Sequence, residues 1–124
     1  MLEKTDRGAN DEARTVARGQ LTITRHAGEG RCLVELQGEL DLATADALRV
    51  ELEAVEADGP EATVVDLRGL RFIDSTGLSV LFDAVERAAG NRRRLTFTRS
   101  SPEVERTLRL TGLDRILSFD QPAA

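Results

Sequence analysis

Tryptophan and tyrosine are missing from this chain; histidine, methionine and cysteine occur once each, and the only lysine is Lys4. Each shortage closes off some chemistry. With no Trp or Tyr and only four Phe, there is no set of aromatic platforms for stacking unpaired bases. The net charge of −5, with both signs interspersed, leaves no basic stripe, so nucleic acid is not expected as a partner. Cys32 alone excludes a disulfide framework and a thiolate metal cluster; within Cys32-Leu33-Val34 it reads as a small core residue. The lone histidine, His26, is expected at a hairpin tip, which leaves no base for a Ser–His–Asp triad. There is no Gly-rich phosphate loop ending in Lys-Ser/Thr, and Asp41, Asp46, Asp66 and Asp74 are not spaced as a calcium loop. No cofactor, no metal and no enzyme activity is therefore expected. No stretch approaches the roughly 20 apolar residues of a membrane helix, and the N-terminus has no apolar leader segment. A soluble cytoplasmic protein without a membrane partner is the expectation.

What is present suits one domain. At 124 residues, a chain buries enough of its surface to need no staple. Residues 1–19 are polar, mixed in charge and without period, and are expected to be a disordered arm. Residues 20–120 carry the domain, and 121–124 a frayed tail. Leu21 and Ile23 alternate with polar neighbours, then Cys32, Val34 and Leu36 do the same after a turn at Ala27-Gly28-Glu29-Gly30, which predicts an antiparallel hairpin. Thr44 is placed to cap a helix whose face is Ala45, Leu48, Leu52 and Val55, stopped by Asp58-Gly59-Pro60. A β-branched strand follows over Thr63 to Leu67. A second helix carries Leu78, Leu81, Phe82, Val85 and Ala89 and is expected to end at Gly90. Leu95 to Thr98 predicts a strand. Ser101-Pro102-Glu103 starts a third helix that Gly112 ends, and Ile116 to Phe119 predicts a short last strand. The order ββαβαβαβ predicts an α/β fold with a mixed, mostly parallel sheet and helices packed on it.

The segment from Asp66 to Leu78 is the centre of the functional question. Asp74-Ser75-Thr76-Gly77 stands where strand and loop give way to a helix, and Ser75 is expected at the N-cap. That position is electropositive, since free amides and the helix dipole point outward. Ser75 thus serves as a plain cap or as an exposed hydroxyl that can carry a phosphate; spacing alone leaves both open. Gly77 breaks a local rule, because glycine in a first helical turn costs about 1 kcal/mol relative to alanine. Relief of crowding, close backbone approach and function all remain open for it. Asp41 fits a loop or capping carboxylate, with a recognition role as the alternative. A phosphoacceptor-aspartate receiver domain has the same size, yet it needs an acidic pair after the first strand and a late lysine. Here the first strand ends in Arg25-His26 and Lys4 is the sole lysine.

The block Val65-Asp66-Leu67-Arg68-Gly69-Leu70-Arg71-Phe72-Ile73-Asp74-Ser75-Thr76-Gly77-Leu78 resembles the phosphorylation-site signature of bacterial anti-sigma factor antagonists. These are single-domain members of the sulphate transporter and anti-sigma antagonist (STAS) family. Gly38-Glu39-Leu40-Asp41 with Thr44-Ala45, and Thr111-Gly112-Leu113-Asp114-Arg115-Ile116-Leu117, resemble two further motifs of that family, so the likeness runs from about Leu21 to Phe119. It implies a STAS-like domain that, unphosphorylated, binds an anti-sigma factor serine kinase and so releases the sigma factor. The kinase, which carries the ATP, would inactivate it by phosphorylating Ser75, with Thr76 as the alternative acceptor, and a metal-dependent serine phosphatase would reset it. Asp41, Leu42, Asp74, Ser75, Thr76 and Gly77 are the implied partner-binding residues, Gly77 by letting the kinase approach closely. Leu42 departs from the polar residue common at that place. The competing implication is an unphosphorylated STAS subunit of a transporter or a signalling assembly; a small hydrolytic or nucleotide-binding enzyme comes third, for want of a base and a phosphate loop.

Overall fold

The computed structural model describes residues 13–120. Strands β1 (Ala13–Arg18), β2 (Leu21–Gly28) and β3 (Arg31–Leu40) are followed by helix α1 (Ala45–Asp58), strand β4 (Ala62–Ile73), helix α2 (Ser75–Gly90), strand β5 (Arg94–Phe97) and helix α3 (Pro102–Thr111). The sheet order is β1-β2-β3-β4-β5. β1/β2 and β2/β3 pair antiparallel, whereas β3/β4 and β4/β5 pair parallel. This is the mixed α/β sheet expected, with one strand more at its start and one fewer at its end.

The extra strand corrects the expected disordered arm, since Ala13 to Arg18 pairs in register with His26 to Leu21. Its residues are exposed apart from half-buried Val16. It is held by backbone pairing, a Thr15–Thr24 hydroxyl contact of 3.1 Å and an Arg14–Glu51 contact of 3.6 Å, none of which leaves a hydrophobic signature. Residues 1–12 and the tail 121–124 lie outside the described residues. β2 runs on through His26, whose Nε2 lies 2.9 Å from Glu35 Oε1 on β3, so this histidine is not at the hairpin tip. The expected last strand is also corrected. Leu113–Arg115 form a 3-10 turn, and only Phe119 bridges to β5, opposite Phe97. Leu117 is buried there as a plug and not as part of a strand ladder.

One core joins Leu21 and Ile23 of β2, Val34, Leu36 and Leu40 of β3, and Val65 and Leu67 of β4 to Leu48 and Leu52 of α1, Leu81 of α2 and Leu108 of α3. Helix ends follow local chemistry. Gly59 and Gly112 close α1 and α3 in the left-handed region, and Ser101 Oγ accepts from Val104 N at the start of α3. Helix α2 runs through Gly90, and Asn91 caps it by donating from Nδ2 to Arg87 O at 2.9 Å.

β4 matters most for function, and it is longer than expected. Its buried residues past the middle are Leu67, Leu70 and Ile73, a spacing of three that fits neither strand nor helix. Two register shifts against β3, between Glu35 and Gln37 and between Gly38 and Glu39, each insert one residue into β4. Gly69 sits in the first bulge, where a Cβ would stand 2.6 Å from Leu36 O. The bulges keep the chain paired with β3 as far as Leu40↔Ile73. The end of β4 and the end of β3 therefore finish side by side.

Candidate functional site

Two loops leave that shared edge, one from Leu40 into α1 and one from Ile73 into α2. Asp74 ties them together. Its backbone N donates to Leu40 O (3.1 Å), its Oδ2 accepts from Leu42 N (3.1 Å), and its Oδ1 accepts from Gly77 N (3.0 Å). The last contact makes Asp74, with extended backbone, the N-cap of α2. The expected cap, Ser75, is instead the first helical residue. The change follows from β4: pairing holds the chain extended to Ile73, so Asp74 is the last residue before helical geometry sets in.

Relieved of capping, the Ser75 side chain is exposed, and among the described residues its hydroxyl has no hydrogen-bond partner. Thr76, the alternative acceptor, is half-buried. Gly77 is buried, and a Cβ there would lie 2.7 Å from Leu40 Cγ and 3.0 Å from both Ile73 Cγ1 and Leu40 O. Its glycine is thus required by the packing of α2 onto the strand ends, the relief of crowding that the sequence left open. At 3.0 Å the Asp41 Oδ1 accepts from Ala43 N, and it lies 3.2 Å from Thr44 Oγ1. Thr44 is almost fully buried; its hydroxyl accepts from Asp41 N and faces Glu39 O, both at 2.9 Å. Asp41 therefore shapes its own loop, as the sequence favoured, and sits beside the Asp74 anchor.

This loop holds Leu42 out: its side chain is 77% exposed, and Phe72 near the end of β4 is 48% exposed. Phe82, read from spacing as a core position, is 37% exposed. Ser75, Ser79 and Phe82 follow the i, i+4, i+7 spacing and share one solvent-facing stripe of α2. Sequence reasoning missed Phe72 and Phe82. The signal for Phe82 was present, since Leu78 and Leu81 already fill the inward arc and leave an adjacent position outside it. The site is thus a free hydroxyl at a helix N-terminus, with exposed Phe82 on the same stripe of α2 and exposed Leu42 on the neighbouring loop that Asp74 anchors; Phe72 pairs with Glu39, next to inward-facing Leu40 and Ile73, and so points to the face of the sheet away from α2.

A family model described as Mlab, STAS domain matches residues 23–118. An anti-sigma-F factor antagonist of Mycobacterium tuberculosis is 34% identical over 95 residues, covering 77% of each chain. An anti-sigma F factor antagonist of Paenibacillus polymyxa is 31% identical over 99 residues, covering 79% of this chain and 83% of that one. The crystal structure of an anti-sigma factor antagonist from Mycobacterium paratuberculosis superposes with a TM-score of 0.71 at 30% identity, covering 92% of this chain and 91% of the other.

Proposed function

This chain belongs to the STAS-domain family of anti-sigma factor antagonists, which regulate by phospho-dependent partner switching and are not enzymes, and we propose that Ser75 is the hydroxyl on which its switch turns. The observation that carries the assignment is the division of labour at the start of α2. Asp74 does the capping, so Ser75 is free of structural duty and open to a kinase. Exposure also favours Ser75 over half-buried Thr76 as acceptor.

The chemistry of the switch is local. A phosphate adds about −1.5 to −2 charges and three acceptor oxygens. At the first position of a helix the dipole favours that charge by about 0.3–1 kcal/mol, so the fold tolerates it. A partner seated on Leu42 and Phe82 meets it differently. It must desolvate a dianion lying beside the Asp74 carboxylate. A penalty of about 3 kcal/mol lowers affinity roughly a hundredfold without any change of fold.

On this reading the unphosphorylated chain holds an anti-sigma factor that is also a serine kinase, and the sigma factor goes free. The kinase brings its own ATP, a serine phosphatase removes the phosphate, and the exchange takes place in the cytoplasm. Leu42, exposed and held by the Asp74 anchor, contributes to partner choice. Incubation with the cognate kinase and ATP should add one phosphate, located to Ser75 by peptide mass spectrometry. Ser75→Ala should take up no phosphate and stay bound to the anti-sigma factor, whereas Ser75→Asp should not bind. Tight binding by Ser75→Asp would sink the assignment.

A further inference from the structure

Past Val65, strand β4 loses one of its two neighbours. Its ladder with β5 ends at the pair Val65↔Phe97, and from there to Ile73, among the described residues, only β3 runs beside it in the sheet. Two side chains take over where β5 stops. Leu67 N donates to Thr98 Oγ1 at 2.8 Å, and Arg68 N donates to Asp66 Oδ1 at 3.0 Å. The two acceptors are joined, because the Thr98 hydroxyl donates to the same Asp66 Oδ1 at 3.1 Å. Thr98 is fixed in turn by its own N, which donates to Val65 O at 3.0 Å, and the Arg68 guanidinium closes on Asp66 Oδ2 at 2.7 Å. Asp66 is buried and Thr98 half-buried. This clamp ends one residue before Gly69, in the first bulge of β4.

Register in a sheet is usually set by the apolar residues on the buried face. Near the end of β4 that pattern does not choose, because Phe72 and Ile73 are adjacent and both apolar. With the first bulge lost and the second kept, Phe72 would stand opposite Leu40 in place of Ile73. Asp74 would then lie one residue, about 3.3 Å, beyond its present place. Its bonds to Leu40 O and Leu42 N would break, and α2 would lose the start it now has. Gly69 permits the bulge, since a Cβ there would meet Leu36 O, but a residue without a side chain cannot hold it. The clamp can.

We propose that Asp66 and Thr98 are positioning residues for the Ser75 switch: they hold β4 in the register that makes Asp74 the cap of α2 and leaves the Ser75 hydroxyl free. The inference rests on Ser75 being the acceptor, so its test has one arm that needs no kinase. Thr98→Val keeps the shape of the side chain and removes the hydroxyl; Thr98→Ser keeps the hydroxyl. In native-state amide exchange of the full-length chain, followed by NMR, Thr98→Val should speed Asp74 and Gly77 about tenfold or more relative to Leu52 and Val55 in α1. Thr98→Ser should restore the wild-type ratio. Loss of overall stability would instead speed all four amides by one factor, and that result, or no change, overturns the proposal. Should Thr98→Val fail to fold, Arg68→Met, at an exposed position, takes its place and must speed the same two amides. In the second arm, kcat/KM for phosphorylation of Ser75 by the cognate kinase should fall about tenfold in Thr98→Val and recover in Thr98→Ser. Unchanged phosphorylation despite local opening would deny the pair its part in the switch. A wild-type chain that takes no phosphate on Ser75 would overturn the acceptor assignment instead, and the exchange result would still decide whether the clamp sets the cap.

Discussion

Asp74 does two jobs with two oxygens, and that sets what its loss should cost. Oδ1 satisfies the Gly77 amide at the start of α2, and Oδ2 holds Leu42 N across 32 residues of chain. Removing an N-cap acceptor costs about 1 kcal/mol, and losing a neutral-donor bond to a carboxylate adds about as much. Asp74→Ala should therefore lose about 2 kcal/mol in a urea melt. It should also weaken anti-sigma binding, because the loop presenting Leu42 is no longer pinned. Asp74→Asn, which keeps the cap, should recover part of the stability. Asp66 gives a pH signature of its own. It is buried in β4, and its carboxylate is held below the usual range, first by the Arg68 guanidinium (2.7 and 3.0 Å), then by the Arg68 amide and the Thr98 hydroxyl, against an opposing effect of burial. A depressed folded pKa contributes stability that is complete above the unfolded value, about 3.9, and vanishes as the pH falls through the folded value. Arg68→Met removes the largest cause and raises the folded pKa. Acid unfolding of that variant, followed by circular dichroism, should begin at higher pH than in the wild type; unchanged acid midpoints would contradict this account of Asp66.

Helix α2 illustrates how tertiary packing overrides propensity at the level of an element. Alanine at position 77 would gain about 1 kcal/mol of helix propensity. It would also drive a Cβ to 2.7 Å from Leu40 Cγ and 3.0 Å from Leu40 O, and a backbone oxygen has little room to yield. Overpacking of this kind costs about 1–3 kcal/mol. Gly77→Ala should be a net destabilisation in a denaturant melt, and a gain would mean that α2 shifts outward freely. The elements that could be read from the sequence are those specified by neighbours in the chain. Gly59 closes α1, and Ser101-Pro102 and Gly112 bracket α3, each by a cap that needs no distant partner; Thr44 holds the N-cap position of α1 but makes no side-chain cap bond, its hydroxyl being taken up by Asp41 N and Glu39 O. β1 was not legible because an edge strand exposed on both faces is specified by its backbone pairing with β2. The second half of β4 was not legible because its bulges turn a period of two into a spacing of three. The same bulges moved the cap from Ser75 to Asp74. The Asp-Ser-Thr-Gly segment was recognisable from its pattern, but the reason its serine is free depends on how far β4 pairs with β3. Leu117 and Phe119 were read as a strand because apolar residues that plug a core and those that line a ladder look alike in a short run.

Across the whole molecule, the net charge of −5 is unevenly placed. Glu39, Asp41 and Asp74 gather at the Ser75 edge against Arg71, which lies 3.5 Å from Glu39, while Arg25, Arg31 and Arg92 to Arg94 lie with Asp58 and Glu61 toward the opposite end of the strands. On the proposed assignment, a phosphate on Ser75 would be added to an end that is already acidic on balance. Two mechanisms can turn that into loss of binding, and salt separates them. Repulsion at a distance is screened, since the Debye length falls from about 30 Å at 0.01 M to about 3 Å at 1 M salt. Desolvation of a charge trapped under a docked partner is screened far less. Ser75 shares its exposed stripe of α2 with Phe82 and adjoins the loop that presents Leu42, so a partner seated on these two apolar residues covers the added charge. The ratio of wild-type to Ser75→Asp affinity, measured by calorimetry with the anti-sigma factor, should therefore stay within about tenfold of its starting value between 0.05 and 1 M salt. Association rates should show the larger salt dependence, because steering acts before contact. If high salt restored full binding to Ser75→Asp, the switch would work through the field of the acidic end, and the exposed apolar residues around Ser75 would lose their place as the docking surface.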